Sequence, residues 1–257
     1  MCLILIAWRA HPAYPCVVAA NRDEFFARPS AAMGFWEDRP FLLAGRDLRA
    51  GGTWMGVDRR GRFAAVTNFR EPQETHDNAP SRGKLVSDFI AGDQSAEAYW
   101  LSLDSQEYSG FNLICGDLGQ ELWHFSNRGD RRGQKLAPGI YGISNHLLDT
   151  PWPKVAQGKS DLAVALQSLP QDAALFALLR DEAIHEDSKL PRTGVDIHWE
   201  RLLSAAFVRS ADYGTRASTV LLLDQGGMVC ADERSFAAGA QPTQRNRFRF
   251  RLESAAI

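Results

Sequence analysis

The stretch MCLILIAW, residues 1–8, places a thiol directly before an unbroken apolar run. The first residues of a chain are usually loose unless a sheet or a core ties them down. An apolar run that begins at Leu3 therefore predicts a buried strand over residues 3–8. Cys2 stands at the start of that strand, where its thiol serves either as core packing or as a nucleophile.

The length and composition of the chain are those of an ordinary globular protein. It has 257 residues, of which 45% are hydrophobic and 23% charged, and this predicts a single folded domain over residues 1–257. A formal net charge of −2 gives no basic footprint, so we expect no nucleic-acid partner.

No apolar run approaches the ~20 residues that span a bilayer, so we expect no membrane span. Arg9 and His11 follow the apolar start where a secretory cleavage site needs small residues, which predicts a cytoplasmic protein.

Short β-branched and apolar runs predict strands, and two longer stretches have helical periodicity. The predicted strands are residues 3–8, 16–20, 63–68, 112–115, 121–125, 219–223 and 228–231, with an edge strand at 247–252. The predicted helical stretches are 81–103, broken near Gly92, and 161–182, broken at Pro170 and capped by Ser160 and Asp161. The predicted loops are 38–53, 71–80 and 186–195, of which the second is expected to be the most mobile. This order of elements predicts an α+β layered domain rather than alternating βαβ units.

Neither the cysteines nor the histidines have the spacing of a metal site. The four cysteines are far apart and form no CxxC pair, so we expect free thiols at Cys2, Cys16, Cys115 and Cys230. The six histidines form no HExxH pattern, so we expect no metal centre.

Removal of Met1 would leave Cys2 with both a thiol and a free α-amine. The α-amine has a reference pKa of ~7.7–8.0, so it can take the thiol proton near neutral pH and later return it. A nucleophile paired with its own amine is a recognised catalytic arrangement. A buried structural thiol is the alternative, and the position of Cys2 alone leaves both open.

The segment AANRDEFFARP, residues 19–29, places four polar side chains at the end of an apolar strand. Alternation along an extended chain puts Asn21 and Asp23 on one face and Arg22 and Glu24 on the other. One interpretation is a charged turn closed by mutual salt bridges. The functional interpretation is that Asp23 holds the α-ammonium of Cys2 while Asn21 donates to substrate or backbone.

Three further polar residues lie at the ends of predicted strands. Asn68 and Asn145 each follow a sheet-like segment, where asparagine usually ends a strand but also supplies amide donors to an oxyanion. Arg216 comes just before a late strand and is either a surface charge or a cation that lowers the pKa of a nearby thiol.

A set of short motifs is more specific in combination than any one of them alone. The motifs are MCLI at residues 1–4, NRDE at 21–24, GGTW at 51–54, TNFR at 67–70, SRG at 81–83, ISNH at 143–146 and YGTR at 213–216. Together they resemble the NRDE family, also called transport and Golgi organisation protein 2. The resemblance implies a four-layer αββα sandwich of the N-terminal nucleophile hydrolase type, with two stacked antiparallel sheets.

Within that superfamily the chain is most similar to penicillin V acylase and bile salt hydrolase. Their nucleophile follows the initiator methionine, which corresponds to Cys2, and their R-N-x-D segment resembles the one here that contains Asn21 and Asp23. Their other active-site positions correspond to Asn68, Asn145 and Arg216. Where those acylases have an arginine before the asparagine, this chain has Ala20, and Arg22 lies two residues further on the same strand face.

The first functional hypothesis is an amidohydrolase that attacks a linear amide through Cys2 and needs no cofactor. In it, Asp23 orients the α-amine, Asn145 and an amide near Asn68 hold the oxyanion, and Arg216 tunes the thiol. The predicted substrate contacts are Trp54, Phe25 and Phe69, which suggest an apolar acyl group, together with Arg22 and His146.

The second hypothesis is a protein that binds haem or another apolar acid in the same cleft without turnover. The resemblance implies this function because eukaryotic members of the NRDE family are associated with haem trafficking and lipid metabolism. In this hypothesis His146 or Cys2 ligates the iron, and Arg46 or Arg49 meets the propionates.

Overall fold

The computed structural model describes residues 2–72, 79–130 and 133–253, which fold into two sheets covered by helices. In chain order the strands are β1 (Cys2–His11), β2 (Tyr14–Phe25), β3 (Ser30–Phe35), β4 (Leu42–Asp47), β5 (Met55–Asp58), β6 (Arg62–Asn68), β7 (Phe111–Asp117), β8 (Glu121–Ser126), β9 (Gln134–Lys135), β10 (Gly139–Ile143), β11 (Tyr213–Leu223), β12 (Met228–Ala237) and β13 (Gln241–Arg251). The helices are α1 (Gly83–Ala91), α2 (Ala96–Ser102), α3 (Pro153–Ala165), α4 (Ala173–Leu178) and α5 (Ile197–Leu202).

The strands form two antiparallel sheets. The first sheet has the order β10-β1-β2-β11-β12-β13, and the second has the order β3-β4-β5-β6-β7-β8-β9. Strand β1 begins at Cys2 and is paired on both sides, with β10 and with β2. This pairing ties the start of the chain into the interior of a sheet, as the apolar run at residues 3–8 predicts.

Strand β1 is apolar along its whole buried length because both of its faces are covered. Ile4 and Ile6 belong to the core between the two sheets, whereas Leu3 and Leu5 belong to the core beneath α3 and α4. Side chains alternate between faces along a strand, so a strand buried on both faces needs apolar residues at consecutive positions.

Helices cover the outer face of each sheet. Leu162 of α3 and Leu175 of α4 pack against the first sheet, and Phe89 of α1 and Trp100 of α2 pack against the second. The order of layers is helix, sheet, sheet, helix, so the predicted four-layer αββα sandwich is confirmed. None of the helices in the described ranges has the length and apolar content needed to cross a membrane.

Two predictions of local structure are wrong. The predicted loop at 38–53 contains β4, whose glycine and charged residues give a weak strand signal but which is held by pairing with β3 and β5. Ser160 and Asp161 do not cap a helix, because α3 begins earlier, at Pro153. Proline suits the first helical position, since its fixed φ is already helical and the N–H it lacks has no partner there.

Other local predictions agree with the structure. Helix α1 ends at Ala91 before Gly92, and α2 begins after Ser95, whose side chain accepts a hydrogen bond from the Ala98 N–H. Within the described residues β13 pairs with β12 alone, so the predicted edge strand at 247–252 is confirmed. Residues 73–78 of the loop predicted at 71–80 lie outside the described residues.

The GGTW segment lies where the second sheet meets the start of α1. The Thr53 N–H donates to the Gly83 carbonyl over 3.1 Å. A Cβ atom on Gly52 would lie 2.4 Å from the Gly83 carbonyl carbon, well inside van der Waals contact. Two backbones therefore approach so closely that position 52 requires glycine.

We predict that Gly52→Ala lowers the free energy of unfolding by about 1–3 kcal/mol, the usual cost of overpacking a close-packed site. Gly34→Ala is the matched control, because a Cβ there meets nothing within 4 Å. Urea denaturation of the two variants and the wild type measures the difference. Equal midpoints for Gly52→Ala and Gly34→Ala would contradict the close approach of the two backbones.

Candidate active site

Residues from both sheets line a cavity of about 620 Å³, and Cys2 forms part of its wall. Trp54 and Asn68 line the same cavity. Its charged lining residues, within the described part of the chain, are the cations Arg22, Arg28, Arg46, Arg49, Arg82 and Arg216 and the acids Asp23, Glu24, Asp47 and Glu233. The wall is therefore polar, and it carries more guanidinium groups than carboxylates.

Strand pairing fixes the position of Cys2 in this wall. Cys2 lies opposite Arg22 in the register of β1 and β2, and its carbonyl accepts a hydrogen bond from the Ser144 hydroxyl over 2.8 Å. The residue is only 8% exposed. Burial raises the pKa of the Cys2 thiol, Asp23 adds to that rise, and the positive charge of Arg22 opposes it. The thiol is therefore protonated near neutral pH until another group takes its proton.

Asp23 is a buried carboxyl group near the end of β2. The Thr215 hydroxyl donates to its Oδ1 over 2.7 Å, and the two residues are opposite each other in the pairing of β2 and β11. Burial raises the pKa of Asp23, while the charges of Lys154 and Arg22 lower it. The ionisation of Asp23 therefore depends on the cations around it.

Asn21 belongs to the protein framework. Its Nδ2 donates to the carbonyls of Leu179 and Ala206, each over 2.8 Å, and the Ser218 hydroxyl donates to its Oδ1 over 2.6 Å. The alternation of β2 places this side chain on the helix-covered face of the sheet, where it ties two chain segments to the strand. Of the two predicted alternatives for Asn21, a bond to backbone and a bond to substrate, the structure shows the bond to backbone.

Arg216 lines the cavity, and its guanidinium is engaged with the backbone. It lies at a register shift between β11 and β2. Its Nη1 donates to three carbonyls of the turn after β2, those of Phe25, Phe26 and Arg28, over 3.1, 3.3 and 3.0 Å. Arg22, across the strand pair, is one of the cations that lower the pKa of the Cys2 thiol. The role predicted for Arg216 stays a prediction, and the structure shows its guanidinium holding the turn.

Ala20 and Arg22 share the face of β2 that points between the sheets, as alternation predicts. Ala20 is fully buried in the inter-sheet core, where an arginine would have no room for its charge. Arg22 lies at the cavity, with its guanidinium 3.7 Å from the Glu24 carboxylate. Arg22 therefore supplies a cation beside Cys2.

The structure brings Asn68 and Asn145 together. Asn145 is fully buried, and its Nδ2 donates to the main-chain carbonyl of Asn68 over 2.9 Å. Its Oδ1 accepts a hydrogen bond from the Ser144 hydroxyl over 3.1 Å. Asn145 therefore positions the end of β6, whereas the Asn68 side chain is exposed at the cavity wall and has amide donors to offer.

The three aromatic residues predicted to form one apolar pocket are separated in the structure. Trp54 lines the cavity, but Phe25 is half exposed and packs edge-on against Tyr213, with 5.0 Å between ring centroids. Phe69 packs against His146 outside the cavity wall, with 4.8 Å between centroids. Of the predicted substrate contacts, Phe25, Phe69 and His146 are not among the residues that line this cavity, and their rings pack against other parts of the protein.

The side chains expected to bind haem are also dispersed. The His146 Nδ1 shares a hydrogen bond with the Thr150 hydroxyl over 2.9 Å, and its ring lies outside the cavity wall. Arg46 donates to both carboxylate oxygens of Asp38, over 2.6 and 2.8 Å. Arg49 alone of the two predicted propionate partners is exposed at the cavity. Within the described residues no group of three His, Cys, Asp or Glu side chains is arranged to hold a metal ion.

Lys154 and Arg82 are charged residues near the site that are not among the predicted site residues, although Arg82 belongs to the SRG motif. Arg82 precedes α1 and lines the cavity, and its Nη1 donates to the Gly110 carbonyl over 3.0 Å. Lys154 lies in the first turn of α3 and is buried. A lysine in the first turn of a helix opposes the helix dipole, and this is the one weak signal that the sequence contains.

The structure is an αββα sandwich in which a cysteine begins an interior strand and lines a cavity. The family model described as Transport and Golgi organisation 2 matches residues 1–238. The chain therefore belongs to the Transport and Golgi organisation 2 family.

Known relatives match the chain along nearly its whole length. The Transport and Golgi organization protein 2 homolog of Bos taurus is 38% identical over 279 aligned positions, covering 99% of this chain and 100% of the relative. The Transport and Golgi organization 2 homolog of Mus musculus is 36% identical, with 99% of this chain and 100% of the relative covered. Among solved structures, a mutant conjugated bile acid hydrolase from Clostridium perfringens is similar with a TM-score of 0.47 and 11% identity, covering 96% of this chain and 92% of that one.

We predict that Arg22→Gln slows alkylation of Cys2 by iodoacetamide about three- to tenfold at pH 8, which corresponds to a pKa rise of roughly 0.5–1 unit. The alkylation rate falls because loss of a nearby cation raises the thiol pKa, which lowers the fraction of reactive thiolate. The rate at Cys2 is measured by peptide mass spectrometry, which separates it from the other cysteines.

Arg216→Gln is the matched control, because it removes a guanidinium from the same cavity without removing the charge opposite the thiol. This variant is expected to alkylate at the wild-type rate. A wild-type rate for Arg22→Gln, or a larger effect of Arg216→Gln, would show that the thiol pKa is set by other groups.

Proposed function

We propose that this protein is an N-terminal cysteine hydrolase that cleaves a linear amide. The observation that carries the proposal is the position of Cys2, at the start of an interior strand and in the wall of a cavity beside Arg22 and Asp23. A cysteine that served only as packing has no need of a cavity or of two charged neighbours. A cavity and two charged neighbours suit a thiol that has to lose and regain its proton during a reaction.

The proposed chemistry requires that Met1 is removed, so that Cys2 carries the free α-amine. The neutral amine takes the thiol proton, and the thiolate sulfur attacks the carbonyl carbon of the amide. The ammonium then returns its proton to the leaving nitrogen as the carbon–nitrogen bond breaks, which leaves a thioester on Cys2. Water, deprotonated by the same amine, hydrolyses the thioester and restores the thiol. Asp23 is the carboxylate that holds the ammonium in these steps.

The exposed amide of Asn68 is the proposed donor to the oxyanion that forms on the substrate carbonyl. Its main chain is fixed by Asn145 through a 2.9 Å hydrogen bond, so the side chain starts from a defined position. A donor that is positioned before the reaction stabilises the developing charge at little reorganisation cost. Asn145 therefore contributes by holding Asn68.

The chemistry of the wall supports an amide that also carries an anionic group. Arg22, Arg49 and Arg82 all line the cavity, and planar guanidinium groups bind carboxylate, sulfonate or phosphate oxygens well. Trp54 supplies one broad apolar surface for an acyl chain. We therefore propose an N-acyl amide with an acidic amine portion as the substrate class, in place of a purely apolar one.

Ligand binding without turnover is the second candidate function. The observation in its favour is the Cys2 thiol itself, which burial holds in the protonated and less nucleophilic form. The ligand in this proposal is an anionic amphiphile held by the arginines of the cavity. Haem is a poor fit in one respect, since His146 lies outside the cavity wall and is bonded to Thr150.

The test is hydrolysis of a panel of N-acyl amides that vary in acyl length and in whether the amine portion carries a carboxylate or sulfonate. We predict that Cys2→Ala lowers turnover at least about 1,000-fold, the scale seen when a catalytic nucleophile is removed. In the wild type, kcat/KM should rise with pH through ~7.7–8.0, where a free α-amine becomes neutral and can act as base.

Cys230→Ala is the matched control, because Cys230 is a partly exposed free thiol away from the cavity wall. It should keep wild-type turnover. Saturable binding of the amides to the wild type, with no more hydrolysis than Cys2→Ala shows, would reject the hydrolase and support ligand binding.

A further inference from the structure

Lys154 is a buried lysine whose charge the proposed chemistry leaves unexplained. Its residue is 3% exposed, and its Nζ has no hydrogen-bond partner among the residues that the structure describes. Burial lowers the pKa of Lys154 to about 8. An ammonium removed from water destabilises a protein unless an opposite charge offsets the lost hydration. We therefore expect an anion close to the Lys154 ammonium.

The fold brings Lys154 to the back of the candidate active site. It follows Pro153 at the start of α3, and α3 packs on β1 and β10, which are adjacent strands of the first sheet. Cys2 is the first residue of β1, so the start of the helix and the start of the strand belong to one packed unit. The lysine is thus held by rigid elements, and no flexible loop places it.

Within the described residues, four groups act electrostatically on Lys154, and they indicate which anion offsets its charge. Asp23, Cys2 and Glu200 raise its pKa, and Arg70 lowers it. The Glu200 carboxylate is already bonded on both oxygens, since Oε2 accepts from Arg70 over 2.5 Å and Oε1 accepts from the Thr193 hydroxyl.

Of the remaining two groups, Cys2 is a neutral thiol in the resting protein. Asp23 is the charged group with the largest effect on the Lys154 pKa, and Lys154 in turn lowers the pKa of Asp23.

We propose that Lys154 is a positioning residue, whose ammonium keeps Asp23 ionised while the α-amine of Cys2 is neutral. This inference rests on the proposed hydrolase function. In that cycle the amine alternates between ammonium and neutral amine. Its positive charge therefore cannot stabilise the ionised form of Asp23 at every step of the cycle. Below the Lys154 pKa of about 8, this second cation opposes protonation of the buried carboxyl, which would otherwise compete with the amine for the thiol proton.

The test is the titration of the Asp23 carboxyl carbon by NMR, in protein labelled with carbon-13 at aspartate Cγ. Comparison with Asp23→Asn assigns the signal. We predict that Lys154→Met raises the Asp23 midpoint by roughly one pH unit or more, the size of the effect of one nearby opposite charge on a carboxyl pKa. The other groups that act on Asp23 remain in the variant, namely the amino terminus, Arg22 on the same strand, Thr215 and Tyr213 on β11, Cys2 on β1 and Arg70 after β6.

Lys154→Arg keeps the charge and is expected to keep the Asp23 midpoint near the wild-type value. Should Lys154→Met fail to fold, the reciprocal experiment uses the native lysine: the Lys154 midpoint, followed by lysine carbon-13 NMR, must fall below about 8 in Asp23→Asn. An unchanged Asp23 midpoint in folded Lys154→Met, or an unchanged Lys154 midpoint in Asp23→Asn, overturns the proposal.

The two proposals fail in distinguishable ways. Neither NMR titration depends on turnover, so an unchanged midpoint beside Cys2-dependent hydrolysis rejects the role of Lys154 alone. A shifted midpoint beside turnover that Cys2→Ala leaves intact rejects the hydrolase and leaves the coupling of Lys154 to Asp23 established.

Discussion

The pairing of β1 with β2 is the constraint on which the rest of the site depends. It sets Cys2 opposite Arg22 and fixes both against the open end of the space between the sheets. A shift of one residue in this register would exchange the two faces of β1 and move every core side chain to the wrong layer. The apolar residues at 3–8 therefore hold in place the polar site at the start of their strand.

The second feature of the site is that burial disfavours charge on both of its reactive groups. The Cys2 thiol and the Asp23 carboxyl each have a raised pKa for this reason, and they also repel each other when both are ionised. Cations from separate elements oppose this effect, with Arg22 supplied by the neighbouring strand and Lys154 by the covering helix. Charge at the site is thus controlled by parts of the fold that are distant in sequence.

The sequence predicts features set by local pattern, and it misses those set by tertiary contact. The early strand, the break at Gly92 and the shared face of Ala20 and Arg22 follow from periodicity and alternation. The roles of Arg216 and Asn21 depend on a register shift and on loops that arrive from elsewhere in the chain. No spacing rule contains that information, and the same holds for Lys154, whose partner lies on another element. The family resemblance supplied the layering that periodicity alone could not.

The most direct measurement of the central claim is labelling of the native protein with 2-cyanobenzothiazole, which condenses with an amine and a thiol only when both belong to one amino-terminal cysteine. We predict one label per chain, located by peptide mass spectrometry at Cys2, with Met1 absent from the intact mass. A chain that retains Met1, or a trimmed chain that takes up label only after denaturation, would contradict the claim that Cys2 presents its thiol and amine together to the cavity.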